Sequence, residues 1–279
     1  MARRWLVTGC STGLGRALAQ RLAQEGEQVL ATARDPRTLA DLVDRYPALV
    51  TAALDVRDPD QCAAAVAKAQ SAFGGLDVLV NNAGFGQFGT VEEVSDVELH
   101  NQFETNVYGP WRLTRLVLPL FRAQGHGHAV FVGSVAGQVP FPGLSAYTAS
   151  KFAVEGLAET LAAEVAHLGI RVTVAQPGGF ATHYGASTVL PQQRVDAYEA
   201  VAGPMLNGVR NMNLNPAVNS PELFADAVFH LAGLAEPPLR LPVGPDAREY
   251  LGAAYAARTK EFEDVTAAGL HLGRPATQP

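Results

Sequence analysis

Short apolar segments alternate with longer segments of helical period along almost the whole chain, and this alternation constrains the fold more than any other feature of the sequence. The pattern predicts strands at 6–8, 28–33, 49–55, 76–80, 128–133, 170–176 and 239–243, and helices at 13–25, 38–46, 59–73, 95–122, 145–168 and 221–233. Strands that alternate with helices pair in parallel, and the helices then cover both faces of the sheet. Right-handed crossovers give a doubly wound α/β fold, with an expected strand order of 3-2-1-4-5-6-7.

The chain shows no internal repeat and no convincing linker, so residues 1–279 are expected to form one domain. The stretch 183–220 is irregular and rich in Gly, Pro and Asn. It follows the carboxyl end of a strand, where ligands bind in such sheets, and is therefore predicted to be a substrate lid. A helical tail is expected over 246–279.

The net charge of -6 gives the chain no general attraction to nucleic acid or to an anionic membrane. No apolar run reaches the roughly 18 residues that span a bilayer. Two cysteines, Cys10 and Cys62, are too few for a disulfide framework, and the seven histidines show no metal-ligand spacing. We expect a cytoplasmic protein with no metal site, no nucleic-acid partner and no membrane partner. Glu92 and Glu93 are expected to lie on a solvated face.

A glycine-rich turn joins the first predicted strand to the first helix, in the order Thr8-Gly9-Cys10-Ser11-Thr12-Gly13-Leu14-Gly15. Glycines at this position let the backbone approach a pyrophosphate, which the free N–H groups of the helix N-terminus can bind. An ordinary tight turn would have the same composition. The strand before it and the helix after it favour a dinucleotide-binding turn, with cofactor contacts from Gly9, Ser11, Thr12, Gly13, Leu14 and Gly15.

The spacing of this turn, T-G-x-x-x-G-x-G, resembles that of the short-chain dehydrogenase/reductase family, classical subfamily. Five later features agree with the family in order and spacing: Asn81-Asn82-Ala83-Gly84, Asn106, Ser134, Tyr147-x-x-x-Lys151 and Pro177-Gly178. The resemblance covers about 4–182. It implies that Asn82, Ala83 and Gly84 lie against the adenosine ribose, and that Asp55 and Val56 contact the adenine. It also implies a loop around the nicotinamide with contacts from Pro177, Gly178, Phe180 and Thr182.

Arg34 follows the second predicted strand, about 20 residues beyond the glycines. An acid in this neighbourhood holds the ribose 2′-hydroxyl of NAD, whereas an arginine accommodates the 2′-phosphate of NADP. Ala33 stands where the family usually has the NAD-selecting acid. We therefore favour NADP(H) over NAD(H). The competing interpretation is that Asp35 turns inward and selects NAD.

The chemistry follows from the residue types. When a hydride reaches a carbonyl carbon, the oxygen becomes negative and needs a proton donor and a hydrogen-bond partner. Tyr147 can donate the proton, and Lys151, one helical turn away, should lower its pKa. The resemblance to the family implies that Lys151 also contacts the nicotinamide ribose. Ser134 can hydrogen-bond the substrate oxygen. Asn106 is expected to hold a water that links Lys151 to solvent.

These features predict an oxidoreductase that interconverts a ketone or aldehyde and an alcohol, acting on a mostly apolar small molecule. Two alternatives remain: a non-catalytic NADP-sensing protein, and an epimerase or dehydratase using the same cofactor. The helices at 95–122 and 145–168 are expected to form the interface of a homodimer or homotetramer, although a buried helix in a monomer has the same composition.

Overall fold

The structure is a computed structural model, and it describes residues 2–182, 184–215 and 218–269. Seven strands form one sheet in the order β3-β2-β1-β4-β5-β6-β7, and every neighbouring pair is parallel, which confirms the predicted topology. The strands are β1 Arg4–Val7, β2 Gln28–Ala33, β3 Val50–Ala53, β4 Val78–Asn81, β5 Gly127–Val132, β6 Ile170–Pro177 and β7 Arg240–Val243.

Helices lie on both faces of this sheet. They are α1 Gly13–Gln24, α2 Ala40–Arg45, α3 Pro59–Phe73, α4 Asp96–Phe103, α5 Gly109–Gln124, α6 Ser145–Val165, α7 Tyr184–Ser187, α8 Glu199–Arg210, α9 Pro221–Leu231 and α10 Pro245–Ala267. Local sequence explains both ends of α3. Asp58 caps α3 by accepting from two backbone N–H groups, and Gly74 ends it in the left-handed conformation.

The central strands are buried on both faces, and their side chains fill two apolar cores. One core packs β1 and β2 against α1 and α9, around Trp5, Leu18 and Phe224. The other lies beneath α3, α5 and α6, around Phe121 and Phe131. Burial on both faces explains why these strands are continuous apolar runs rather than alternating ones.

Two elements differ from the sequence prediction. The helix expected over 95–122 is two helices, α4 and α5, joined by a π-helical turn at Glu104–Tyr108 that contains Asn106. The stretch 183–220 is less irregular than expected, because it contains α7 and α8. Ala202, Leu206 and Val209 of α8 pack on Phe88 and Leu144, a helical spacing that the glycines and prolines of this stretch obscured.

Part of the predicted lid (183, 216 and 217) and part of the predicted tail (270–279) lie outside the described residues. The remainder of the tail is α10, which buries Ala247 and Leu251 near its start and exposes most of its other side chains. Across the described ranges, no helix is both long enough and apolar enough to cross a membrane.

Candidate active site

The carboxyl ends of the strands open into one cleft of about 1310 Å³. Chain segments that are far apart in sequence meet there because all the strands are parallel and end at the same edge. Of the residues predicted from the sequence to form the site, the cleft is lined by Gly9, Ser11, Thr12, Gly13, Leu14, Arg34, Asp55, Val56, Asn82, Ala83, Gly84, Ser134, Tyr147, Lys151, Pro177, Gly178, Phe180 and Thr182. Gly15 and Asn106 do not line it.

The glycine-rich turn has the backbone geometry that a pyrophosphate contact requires. Gly9 and Gly13 have φ angles of 70° and 59°, in the region that disfavours other residues. A Cβ on Gly9 would lie 2.8 Å from Cα of Ala83. The turn is fixed to the next strand because Asn82 Nδ2 donates to Thr8 O over 2.7 Å. Gly13 and Leu14 at the start of α1 line the cleft, and the first N–H groups of a helix have no partner within the helix, so the segment fits a dinucleotide.

Gly15 has a different position from the one that the sequence suggested. A Cβ on Gly15 would lie 2.3 Å from Asn82 Nδ2 and 2.5 Å from Gly9 O. Because Gly15 has no side chain, α1 can pack closely against the loop after β4. Gly15 therefore supports the turn from the side away from the cleft.

Two arginines line the end of the cleft that contains Asp55 and Val56. Arg34 is exposed, and within the described part of the chain its side chain forms no hydrogen bond or salt bridge. Arg57, which the sequence analysis missed, also lines the cleft and pairs with Asp55 over 2.6 Å. Hydrogen bonding from Arg57 lowers the pKa of Asp55, and the charge of Arg34 adds to the effect.

Asp35 does not line the cleft. Its carboxylate accepts from the backbone N–H of Arg37 over 3.0 Å and from the Arg37 guanidinium over 2.7 Å. Asp35 thereby caps the short 3₁₀ turn Pro36–Leu39.

At the opposite end of the cleft, Ser134 lies just after β5. Tyr147 and Lys151 lie on one face of α6. Ser134 Oγ accepts from Ala136 N over 3.1 Å, which fixes the hydroxyl at the cleft wall. Lys151 Nζ donates to Val132 O over 2.7 Å and lies 5.6 Å from the centroid of the Tyr147 ring. The spacing of four residues on α6 brings these two side chains together.

The ionisation of this pair differs from the sequence expectation. Burial raises the pKa of the Tyr147 phenol, and the neighbouring Ser134 and Tyr184 hydroxyls only partly oppose this. The sequence predicted that Lys151 would lower the pKa of Tyr147. In the structure this pKa is raised instead, because the loss of water around the phenol dominates. Burial also lowers the pKa of Lys151 to about 8, against the opposing charge of Glu155.

Asn106 is buried, and its side-chain amide makes three hydrogen bonds. Nδ2 donates to Phe85 O over 3.0 Å and to Ser150 Oγ over 3.2 Å, and Oδ1 accepts from Phe85 N over 3.1 Å. The π-helical turn directs this side chain inward, and such turns are frequent at functional sites. Asn106 thus fixes the segment after β4 against α6.

Known proteins resemble this chain. The protein-family model described as short chain dehydrogenase matches residues 3–192. The chain belongs to the short-chain dehydrogenase family. It is thus an oxidoreductase of a family that binds NAD or NADP and acts on CH–OH and C=O groups.

Among its relatives, this short-chain dehydrogenase is 39% identical to oxidoreductase BOA17 of Botryotinia fuckeliana, over 91% of this chain and 93% of that protein. It is 32% identical to 3-ketodihydrosphingosine reductase of Bacteroides thetaiotaomicron, over 86% and 87% of the two chains. A crystal structure of a short-chain dehydrogenase from Streptomyces avermitilis has a TM-score of 0.90 and 37% identity, covering 98% of this chain and all of that one.

Glu155, which the sequence analysis also missed, lies under Lys151 in this short-chain dehydrogenase, one turn further along α6. It is buried, accepts from Gln176 Nε2 over 2.8 Å, and pairs with Arg240 Nε over 3.0 Å. Glu159, largely exposed, shares the same arginine. The spacing of Lys151, Glu155 and Glu159 by four residues was visible in the sequence, but nothing there indicated that Glu155 is buried.

The expectation that Glu93 is solvated is wrong. Glu93 is buried, and it accepts from Thr90 N and Val195 N over 3.0 Å each and from Arg194 Nε over 2.9 Å. Burial alone would raise the pKa of Glu93, but these hydrogen bonds outweigh it and lower the pKa to about 2. Glu93 therefore anchors the segment before α8. Within the described residues, no group of three His, Cys, Asp or Glu side chains is placed to hold a metal ion.

Proposed function

We propose that this short-chain dehydrogenase is an NADP(H)-dependent oxidoreductase that interconverts a ketone or aldehyde and an alcohol, with Tyr147 as the general acid/base. The observation that carries the proposal is that one cleft joins the glycine-rich turn to Tyr147, Ser134 and Lys151. A pyrophosphate bound at the turn would direct the nicotinamide towards the loop at Pro177 and Gly178.

When bound, the nicotinamide supplies the hydride. Tyr147 donates a proton to the substrate oxygen as negative charge develops there; burial raises its pKa, so the phenol stays protonated until that charge appears. Ser134 hydrogen-bonds the same oxygen without ionising. Lys151, with a pKa of about 8, is mostly cationic at neutral pH and stabilises the phenolate that remains.

Asn106 is proposed as a positioning residue. Its hydrogen bonds to Phe85 and Ser150 connect the loop after β4 to α6, so that both sides of the cleft keep their spacing. A water near the π-helical turn would provide the path from Lys151 to solvent.

The preference for NADP(H) rests on charge at the adenosine end. Arg34 has no salt bridge in the described part of the chain, and Arg57 lies in the same part of the cleft. The Arg34 guanidinium is available to a 2′-phosphate, which arginine binds well, whereas the Arg57 guanidinium is paired with Asp55 and adds positive charge nearby. Asp35, the residue that could select NAD, is already engaged by Arg37.

The proposed substrate is a mostly apolar small molecule. Beyond Tyr147 the cleft is walled by Phe85, Phe141, Leu144, Met205 and Val209. Methionine side chains are flexible and adapt to irregular apolar ligands. The relative named 3-ketodihydrosphingosine reductase is consistent with reduction of a ketone on such a substrate.

In this proposal the chain is a single domain that includes a lid over 183–220, and Glu93 holds this lid. The protein is cytoplasmic and forms a homodimer or homotetramer.

The test is oxidation of NADPH and of NADH, followed by absorbance, against aliphatic, aromatic, steroid and acyl ketones. We expect NADPH oxidation with some of these ketones and weaker activity with NADH. Binding of NADPH without turnover of any ketone would instead favour the sensor. Conversion of a substrate without net consumption of the cofactor would favour an epimerase or dehydratase.

A further inference from the structure

A second tyrosine, Tyr184, faces the proposed acid in the cleft. The rings of Tyr147 and Tyr184 have centroids 5.5 Å apart and are tilted by 53°. Tyr184 is fixed at the start of α7, where its N–H donates to Thr182 Oγ1 over 3.2 Å. Its carbonyl oxygen accepts from Ser187 Oγ over 3.1 Å and from Thr188 Oγ1 over 2.9 Å. The ring is therefore held in position by its own backbone.

The Tyr184 hydroxyl is buried beside the Tyr147 phenol, close enough for each to shift the pKa of the other, but among the described residues it makes no hydrogen bond of normal length and angle. Gly86 leaves room for it, since a Cβ at that position would lie 2.2 Å from the phenol oxygen. A buried hydroxyl without a partner has lost its hydrogen bonds to water, and in a stable fold such a group needs an explanation. Because Tyr184 also lines the cleft, its missing partner is best sought on a bound ligand.

The lone pairs of the substrate carbonyl oxygen indicate which substrate atom the Tyr184 hydroxyl can bind. A carbonyl oxygen has two lone pairs, and in the proposed function Ser134 and Tyr147 occupy both. Tyr184 therefore has no place on the reacting oxygen. Its closeness to Tyr147 puts its partner only one or two carbon atoms away along the substrate.

We propose that Tyr184 is a specificity-determining residue that hydrogen-bonds a second oxygen atom of the substrate, on the carbon next to the carbonyl or on the one after it. The substrate class is then an apolar ketone with a neighbouring oxygen function, such as an α-hydroxyketone or a β-keto ester. This inference rests on the proposed function, because it assumes that Ser134 and Tyr147 hold the reacting oxygen.

The experiment compares Tyr184→Phe with the unsubstituted protein on matched ketones, for example 2-octanone, 3-hydroxy-2-octanone and ethyl 3-oxohexanoate. We expect the substitution to lower kcat/KM about ten-fold for ketones with the second oxygen and to leave the plain ketone nearly unchanged. Because phenylalanine keeps the ring, NADPH binding and the melting temperature should not change. Tyr198→Phe is the matched control, since that exposed phenol donates to Glu92 outside the cleft.

Equal loss on all three ketones would overturn the inference and would mean that Tyr184 assists Tyr147 instead. No loss on any of them would also overturn it. Failure of the proposed function looks different: the unsubstituted protein would then oxidise NADPH with none of the ketones, whatever residue stands at 184.

Discussion

At the scale of single residues, the proposed preference for NADP(H) depends on Arg34. Its side chain is exposed and has no salt bridge within the described ranges, so its charge is available to a ligand. The sequence was sufficient to bring Arg34, Ser134, Tyr147 and Lys151 to the cleft, because each stands in a short motif or directly after a predicted strand. It did not identify Arg57, Glu155 or Tyr184, because their roles depend on which distant side chains they meet. The raised pKa of Tyr147 could not be predicted from the sequence either, because it results from burial.

Replacing Arg34 with alanine should weaken NADPH binding about ten-fold and leave NADH binding nearly unchanged, because a charge-assisted contact at an exposed position contributes about 1.5 kcal/mol. Fluorescence titration with each cofactor measures this. Arg45→Ala is the matched control, since it removes an exposed arginine that does not line the cleft. Equal weakening of both cofactors would contradict a role for Arg34 in binding the 2′-phosphate.

At the scale of secondary-structure elements, the alternating pattern predicted every strand, because buried parallel strands are short apolar runs between helices. The division of the 95–122 helix was not predictable, since the π-helical turn at Glu104–Tyr108 accompanies hydrogen bonds of Asn106 to Phe85 and Ser150, which are distant in the sequence. The helix α8 was missed because Gly203, Pro204 and Gly208 lower the helical propensity of a segment that packing on Phe88 stabilises.

The pairing of β5 with β6 should be sensitive to acid through His128. This side chain is buried, and its Nε2 lies 3.0 Å from Thr173 Oγ1, whose proton goes to Pro238 O. Burial, with the charges of Arg171 and Arg3, lowers the pKa of His128 to about 4. The unfolded chain has the ordinary histidine pKa of about 6.5, so it binds a proton more readily than the folded protein between these two values. Stability is therefore lost as the pH falls through this window.

From about pH 7 to about pH 5 this difference amounts to roughly 2 kcal/mol of unfolding free energy. Urea unfolding at both pH values, with His128→Gln beside the unsubstituted protein, measures it. Glutamine keeps a donor towards Thr173 but does not titrate, so the variant should lose about 2 kcal/mol less over the same interval. An identical pH dependence in both proteins would rule out His128 as the source.

At the scale of the whole molecule, exposed aromatic side chains lie on the two helices expected to form a subunit interface. Trp111 on α5 is 52% exposed, and Phe152 on α6 is 39% exposed, with the Arg258 guanidinium of α10 over its ring. Tyr108 beside Trp111 is also exposed. Large apolar surfaces of this kind are typical of protein interfaces.

We expect light scattering at micromolar concentration to give two or four times the 29.4 kDa mass of one chain. Trp111→Glu should shift the protein towards the monomer, because a buried charge without a partner destabilises an interface. Leu234→Glu introduces the same charge at an exposed residue outside these helices and is the control. A mass of 29.4 kDa for the unsubstituted protein would contradict the predicted oligomer.

The most direct test of the central claim, that Tyr147 is the proton donor of an NADP(H)-dependent ketone reduction, is the turnover of Tyr147→Phe measured together with its NADPH affinity. The account predicts that kcat falls by about 10²–10⁴-fold, the usual contribution of a general acid, while NADPH binds almost as before because the ring is kept. Retained turnover with normal NADPH binding would contradict the account and assign the proton transfer to another group.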